Sequence, residues 1–254
     1  MRSISASPQL AVLGAASDAD RLLYPRLARR RGSAGVSWVS AAAPAVVVVL
    51  AAGRGARFVG PSANGHKLTQ AFGRSTVLGT TLFNALESGL GVVVVVAESL
   101  LAHVAAVLPA SDIVVLPEAG GPVSDARLGM GYSIASGVTA CANARAWLVL
   151  PADMPMVQPA TLRAVESQLQ HHPVVYAQHL GQRGHPVGFG SELYSELAGL
   201  SGDEGARRLL ARYPTYGVEV ADPGVLLDLD TPADLERLCA EHARHASAIA
   251  IAAR

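Results

Sequence analysis

Cysteine is scarce in this sequence, with two in 254 residues, Cys141 and Cys239. Neither sits in a CxxC pair or a Cys/His array, which argues against a disulfide framework or a structural zinc site and fits a reducing, cytoplasmic setting. An excess of either charge is also missing: Lys plus Arg and Asp plus Glu each total 20, so the net charge is zero. Nothing suggests a polyanion-binding surface, and nucleic acid is not an expected partner. Long apolar runs are absent too. The longest, 45–52 and 92–97, fall far short of the roughly 18 residues that cross a bilayer, so no membrane partner is expected. The first residues, MRSISASPQLAVLGAAS, carry Arg2 and a short apolar patch from Leu10 to Ala16, a poor match to the layout of a secretory signal.

What is present is a hydrophobic fraction of 50% in a chain long enough to bury a large α/β core. Residues 1–43 hold an arginine cluster, Arg26 to Arg31, and Ser/Ala/Gly-rich sequence without sustained periodicity. They read as an N-terminal extension with one short helix around Ala19 to Arg30. From Ala45 the pattern changes to short apolar runs alternating with helix-length segments, the mark of βα units and a mainly parallel sheet. Strands are expected at Ala45 to Leu50, Val92 to Ala97, Ile113 to Leu116, Trp147 to Leu150, Val174 to Gln178, Val187 to Phe189, Val218 to Val220 and Leu226 to Leu229. Helices are expected at Thr76 to Ser88, Ser99 to Leu108, Gly131 to Ala142, Pro159 to His171, Ser191 to Ala198, Glu204 to Tyr213 and Thr231 to Arg244. Thr231 before Pro232, and Gln158 before Pro159, read as helix starts. One domain over 44–244 with a frayed tail, 245–254, follows from this pattern.

The first strand runs into AAGRGARFVGPSANGHKL, Ala51 to Leu68. In an open α/β sheet, ligands bind beyond the carboxyl ends of the strands. Gly53 and Gly55 permit close backbone approach, and Arg54, Arg57 and Lys67 add positive charge suited to phosphate oxygens. Two better-known loops fail: Phe58 follows where a dinucleotide fingerprint needs its third glycine, and no Gly-Lys-Ser/Thr completes a P-loop. Read alone, the loop fits a phosphate cradle and an ordinary glycine-rich turn equally well.

Two acidic segments lie downstream. PADMP, Pro151 to Pro155, places Asp153 at a strand's carboxyl end, where it serves either chemistry or the capping of a turn. In LLDLDTPADL, Asp228 and Asp230 alternate with leucines, so on a strand both carboxylates share one face. Helix capping by Asp230 or Thr231 explains that segment as well. Magnesium commonly takes one or two carboxylates plus phosphate and water, and two carboxylates facing a basic glycine loop would suit it.

LAAGRGARF followed by HKL resembles the LAAGxSxRMG…K signature of the MobA-like nucleotidyltransferases, particularly the molybdenum cofactor cytidylyltransferases. PADMP and DLDTPADL resemble that family's ADMP and DIDTPEDL segments, and GMGYSIASGV, GHPVGFG and LSGDEGARRLL also match in order. The sequence departs from the signature at Gly55, where serine is frequent, at Phe58, where methionine is usual, and at Pro61 to His66, which lengthens the path to Lys67. The resemblance implies a Rossmann-like three-layer α/β/α fold with a mainly parallel, mixed sheet. It further implies a triphosphate-wrapping loop of Leu50, Ala51, Ala52, Gly53, Arg54, Gly55, Arg57 and Lys67, the last two holding phosphates and forming the catalytic set with Asp153. Magnesium binding falls to Asp153 and Asp230, with Asp228 as a helper. Gly129, Gly131 and Ser133 face base and sugar, and His185, Pro186, Gly202 and Asp203 flank the acceptor. Without the resemblance these glycines read as turn residues and His185 as a surface histidine.

The implied activity is magnesium-dependent transfer of CMP from CTP to the molybdopterin cofactor, with pyrophosphate released. Ala51-Ala52-Gly53 favours CTP over GTP. A transient contact with a molybdoenzyme or its chaperone is expected from the same likeness. The alternatives are guanylyl or sugar-phosphate nucleotidyl transfer, a non-catalytic cofactor carrier, and an oxidoreductase on the same scaffold.

Overall fold

The computed structural model describes residues 44–53, 55, 58, 65–117 and 129–252. The extension, its expected helix, Arg54 and Arg57 lie outside the described residues. Nine strands and seven α-helices are found among the described ones. In chain order they are β1 (Val46–Ala51), β2 (Ala71–Phe72), β3 (Ser75–Thr76), α1 (Val77–Glu87), β4 (Gly91–Ala97), α2 (Leu101–Ala105), β5 (Ile113–Leu116), α3 (Met130–Ala140), β6 (Ala146–Pro151), α4 (Pro159–Gln168), β7 (Val174–His179), β8 (Gln182–Gly190), α5 (Tyr194–Ala198), α6 (Arg207–Arg212), β9 (Thr215–Glu219) and α7 (Pro232–Ala252).

Seven strands form one sheet in the order β5-β4-β1-β6-β8-β7-β9, while β2 and β3 pair separately. Every neighbouring pair in the sheet is parallel except those made by β8, which runs against both β6 and β7. The sheet is therefore mixed but mainly parallel, as expected. From β1 the chain steps outward to β4 and β5, then returns to β6 on the other side of β1. The order reverses there, so the ligand crevice of such a sheet falls at the carboxyl ends of β1 and β6.

The valine run of β1 is buried on both faces. Val47, Val49 and Ala51 join α1, α4 and α7 in one core through Leu78, Leu82, Leu162 and Leu238. Val46 and Val48 join the opposite core with Ile134, Val138, Leu193 and Leu197. Successive strand side chains point to opposite faces, so only a continuous apolar run can fill both layers. Helix α3 lies close on the sheet because Gly137 has no side chain: a Cβ there would sit 2.8 Å from Val95 Cγ2.

The structure corrects several boundaries. The strand expected at Leu226 to Leu229 is absent; Pro223–Leu226 is a 3₁₀ turn. Pro223 has no N–H to offer a ladder, and Gly224 packs against the Met156 carbonyl. The leucine alternation reflects burial of Leu229 in the core, so Asp228 and Asp230 do not share a strand face. Helix α7 passes the expected stop at Arg244 and continues to Ala252. Strand β8 is longer than Val187 to Phe189, and the helix expected over Ser99 to Leu108 shrinks to α2 behind a 3₁₀ turn.

Thr231 does begin α7: its hydroxyl accepts from the Asp234 N–H at 3.2 Å, and the Asp234 carboxylate accepts from the Thr231 N–H at 2.9 Å. This is a reciprocal cap. Gln158, by contrast, makes no side-chain cap. Asp222, only 3% exposed, does that work from a distance. One carboxylate oxygen accepts from Gln158 N–H at 2.9 Å and Thr161 Oγ1 at 2.6 Å, and the other from Gly224 N–H at 3.0 Å. Asp222→Ala strands these buried donors and is expected to cost about 2–4 kcal/mol. A lower urea midpoint with an unchanged m-value checks this.

Candidate functional site

After β1 the backbone turns at Gly55, whose φ is +60°, and Phe58 N–H donates to the Gly55 carbonyl at 2.9 Å. Phe58, at the position where the family signature has methionine, is 6% exposed and packs in the core. His66 bridges back to Gly53. Its Nδ1 accepts from Leu68 N–H at 3.2 Å, and its Nε2 lies 3.0 Å from the Gly53 carbonyl. Because a backbone N–H can only donate, Nδ1 is the acceptor, and Nε2 carries the proton given to Gly53. Nothing in the sequence marks His66 for this role beyond its place beside Lys67 in HKL.

Lys67 opens a short 3₁₀ helix, Lys67–Thr69, and its ammonium reaches the carboxyl edge of the sheet. There Nζ donates to Asp153 Oδ2 at 2.6 Å, to the Leu229 carbonyl at 2.9 Å and to Asp230 Oδ1 at 3.1 Å. The three side chains are mostly buried, at 12%, 18% and 19% exposure in the order Lys67, Asp153, Asp230. Burial opposes the charge on Lys67, but the attraction of Asp153 and then Asp230 outweighs it and raises its pKa above the ordinary lysine value.

Each carboxylate is placed by different contacts. The strand pairing of β1 and β6 continues one step, with Ala152 N–H donating to the Leu50 carbonyl at 3.0 Å. Helix α1 then holds the PADMP turn: Thr81 Oγ1 donates to the Ala152 carbonyl at 2.9 Å and Asn84 Nδ2 to the Pro155 carbonyl at 3.0 Å. Asp230 arrives from far along the chain because Leu229 N–H donates to the Asp153 carbonyl at 3.0 Å. Asp153 Oδ1 is buried and has no hydrogen-bond partner. A buried carboxylate oxygen left without a donor is costly, so Asp153 Oδ1 is the atom of the cluster that could take a cation. No group of three or more His, Cys, Asp or Glu side chains that could hold a metal occurs among the described residues. The donor set is therefore two carboxylates and a backbone carbonyl, which suits a hard cation that takes its other ligands from phosphate and water.

The remaining expected residues form a second group. Gly131 N–H donates to the Gly202 carbonyl at 2.8 Å. A Cβ at Gly131 would lie 2.7 Å from the Ser201 carbonyl oxygen, and Gly129 packs equally closely on Gly202 and Asp203. The segments expected to face nucleotide and acceptor are thus locked together. Ser133 is turned inward, its Oγ donating to the Gly129 carbonyl at 3.1 Å. His185 lies on β8 beside buried Pro186. Burial lowers its pKa below the ordinary histidine value against the opposing charges of Asp153 and Asp228. Asp228 is exposed and makes no bond to Lys67, so it stays outside the Asp153 and Asp230 cluster.

The MobA-like NTP transferase domain matches residues 47–216. The chain belongs to this family. Its domain is a nucleotidyltransferase domain, and Val47 to Ala51 of β1, Lys67 and Asp153 fall within the match. The purine catabolism protein PucB of Bacillus subtilis (strain 168) is 34% identical over 117 residues, which cover 44% of this chain and 57% of that protein. The match thus spans little more than half the length of that relative. Among solved structures, Rv0371C of Mycobacterium tuberculosis H37Rv in complex with manganese is 29% identical with a TM-score of 0.63, covering 78% of this chain and 99% of the other. A nucleotidyl transferase from Methanothermobacter is 25% identical with a TM-score of 0.65, covering 80% and 99%. No helix among the described residues is long and apolar enough to cross a membrane.

Proposed function

We propose that the protein is a magnesium-dependent cytidylyltransferase that joins CMP from CTP to the terminal phosphate of a molybdopterin-type cofactor and releases pyrophosphate. The observation that carries the metal-nucleotide reading is the partnerless, buried Asp153 Oδ1 beside Lys67 and Asp230 at the sheet's switch point. The motif likeness of Ala51-Ala52-Gly53 and of the two acidic segments supports the nucleotide and the acceptor.

An acceptor phosphate oxygen forms a bond to the α-phosphorus as the bond to the β-phosphate bridging oxygen breaks, so no protein nucleophile is needed. Positioning and charge neutralisation are the protein's contribution. Asp153 and Asp230 would hold magnesium, which when bound neutralises charge on the transferring group. Lys67 turns from the carboxylates to the departing phosphates, and Arg57 joins it there by the family likeness. The His66 bridge fixes Gly53, so the backbone facing the triphosphate is preorganised. The free thiols Cys141 and Cys239 fit action in the cytoplasm, followed by hand-over to a molybdoenzyme or its chaperone.

The test supplies purified full chain with magnesium, molybdopterin cofactor and each of CTP, GTP, ATP and UTP, reading pyrophosphate and product mass. CTP is expected to give the adduct. Preference for GTP would make the protein a guanylyltransferase, and nucleotide binding without pyrophosphate release would make it a carrier.

A further inference from the structure

We infer that helix α1 tunes the metal affinity of the site: Thr81 and Asn84 are positioning residues that hold the Asp153 turn in the conformation its carboxylate needs to take a divalent cation. The inference rests on the metal-nucleotide reading and adds to it which groups outside the cluster aim Asp153. Both residues act through the backbone on either side of it.

The turn after β6 is fastened carbonyl by carbonyl. The Ala152 carbonyl, just before Asp153, accepts from Thr81 Oγ1 at 2.9 Å, and the Pro155 carbonyl, two residues beyond it, accepts from Asn84 Nδ2 at 3.0 Å. The Asp153 carbonyl accepts from Leu229 N–H at 3.0 Å. Thr81 and Asn84 lie three residues apart in α1 and so share one helix face. The same helix is tied to the other half of the site. Its first residue, Val77, donates its N–H to the carbonyl of Gln70, three residues past Lys67, at 3.0 Å. Thr80 Oγ1 donates to the Phe72 carbonyl at 3.4 Å. One helix therefore spans from the segment that carries Lys67 to the turn that carries Asp153.

Neither bond is needed to form or dock the helix. A helical threonine ordinarily returns its hydroxyl to the carbonyl four residues back, and Thr81 has that acceptor in Val77 O at 3.1 Å. Its one proton is nevertheless offered to Ala152 O as well, at the shorter distance. Thr81 is 1% exposed, so bulk water does not replace the bond. Docking is supplied by apolar neighbours, since Val77, Leu78, Leu82 and Ala85 all sit in the core. The two polar side chains add direction, and the atom they direct has no other guide. Asp153 Oδ1 has no donor, and Oδ2 is held by Lys67. Once the ammonium turns to phosphate, only the backbone of the turn aims the carboxylate. Partners that orient a metal-binding side chain in this way are worth about 10–100-fold in metal affinity.

Three variants test this. Thr81→Val keeps the branched shape and removes the hydroxyl, Thr81→Ser keeps the hydroxyl, and Asn84→Leu keeps the shape without the amide donor. Manganese is titrated into full-length wild type and each variant, with and without CTP, and transfer is measured against magnesium concentration. Thr81→Val and Asn84→Leu are expected to weaken manganese binding about tenfold or more, while Thr81→Ser stays within about threefold of wild type. The half-saturating magnesium should rise in parallel, and high magnesium should restore most of the lost rate with the CTP KM changed less than about twofold. A purely structural role for the two side chains would lower the melting temperature and leave manganese affinity where it was. Equal manganese affinity in every protein, or no binding by wild type in either condition, overturns the inference. If Thr81→Val does not fold, Asn84→Leu, at a half-buried position, carries the test. Manganese binding that the variants weaken supports the positioning role even if the wild type transfers no nucleotide, which would sink the cytidylyltransferase reading alone.

Discussion

Asp153→Asn is expected to lower nucleotidyl transfer at least about a hundredfold, equivalent to about 2.7 kcal/mol of lost transition-state stabilisation or more. Asparagine keeps the shape and leaves one carbonyl oxygen able to accept from Lys67 Nζ, now 2.6 Å from Asp153 Oδ2. The contacts that seat the turn use the Ala152 and Pro155 carbonyls, which the substitution does not touch. Folding should therefore change little while turnover collapses. Pyrophosphate release together with a melting curve checks both halves, and an unimpaired Asp153→Asn enzyme would remove Asp153 from the reaction.

Lys67→Met should separate metal binding from nucleotide binding. The ammonium occupies the space between Asp153 and Asp230, so a divalent cation there competes with it. Methionine fills similar volume without charge and leaves two mostly buried carboxylates facing each other. Without metal the variant is expected to lose about 2–4 kcal/mol of stability, since removing one partner of a largely buried pair exposes the other to the full cost of desolvation. Manganese added without nucleotide should bind the variant about tenfold or more tightly than wild type and raise its melting temperature. Wild type should gain comparable affinity only when CTP offers the ammonium another anion. Calorimetric titration with manganese, with and without CTP, reads this directly; equal affinities without nucleotide would show that Lys67 and the metal do not compete. Transfer by Lys67→Met should also fall, because the departing phosphates lose a cation.

The two variants test the part of the site that sequence reading found in pieces. Lys67, Asp153 and Asp230 were each legible, because glycine-rich loops, strand ends and carboxylates carry local signals. Their relation was not. The expected roles gave Lys67 to phosphate and the carboxylates to metal, whereas the described geometry puts all three in one hydrogen-bonded cluster. Nothing local marked Thr81 and Asn84 as the clamp on the Asp153 turn, since a helical hydroxyl or amide shows its partner only after the helix docks. Asp222 was invisible for the same reason: its three donors come from residues 158, 161 and 224.

The sequence by itself determined the layered α/β architecture. Apolar runs of strand length, such as VVVV at Val46 to Val49, can be buried on both faces only inside a sheet covered by helices on each side. It also determined the family, through motifs whose residues are close along the chain. Only the tertiary structure decided the reversal of β8, which brings His185 rather than Phe189 to the ligand edge. Only it decided that the 226–229 segment leaves the sheet and hangs on Asp153 by the Leu229 N–H. The reason is physical: strand direction and the partner of a buried polar atom are set by hydrogen bonds between distant residues, and a linear pattern of side chains does not encode which backbone group will be within 3 Å of which.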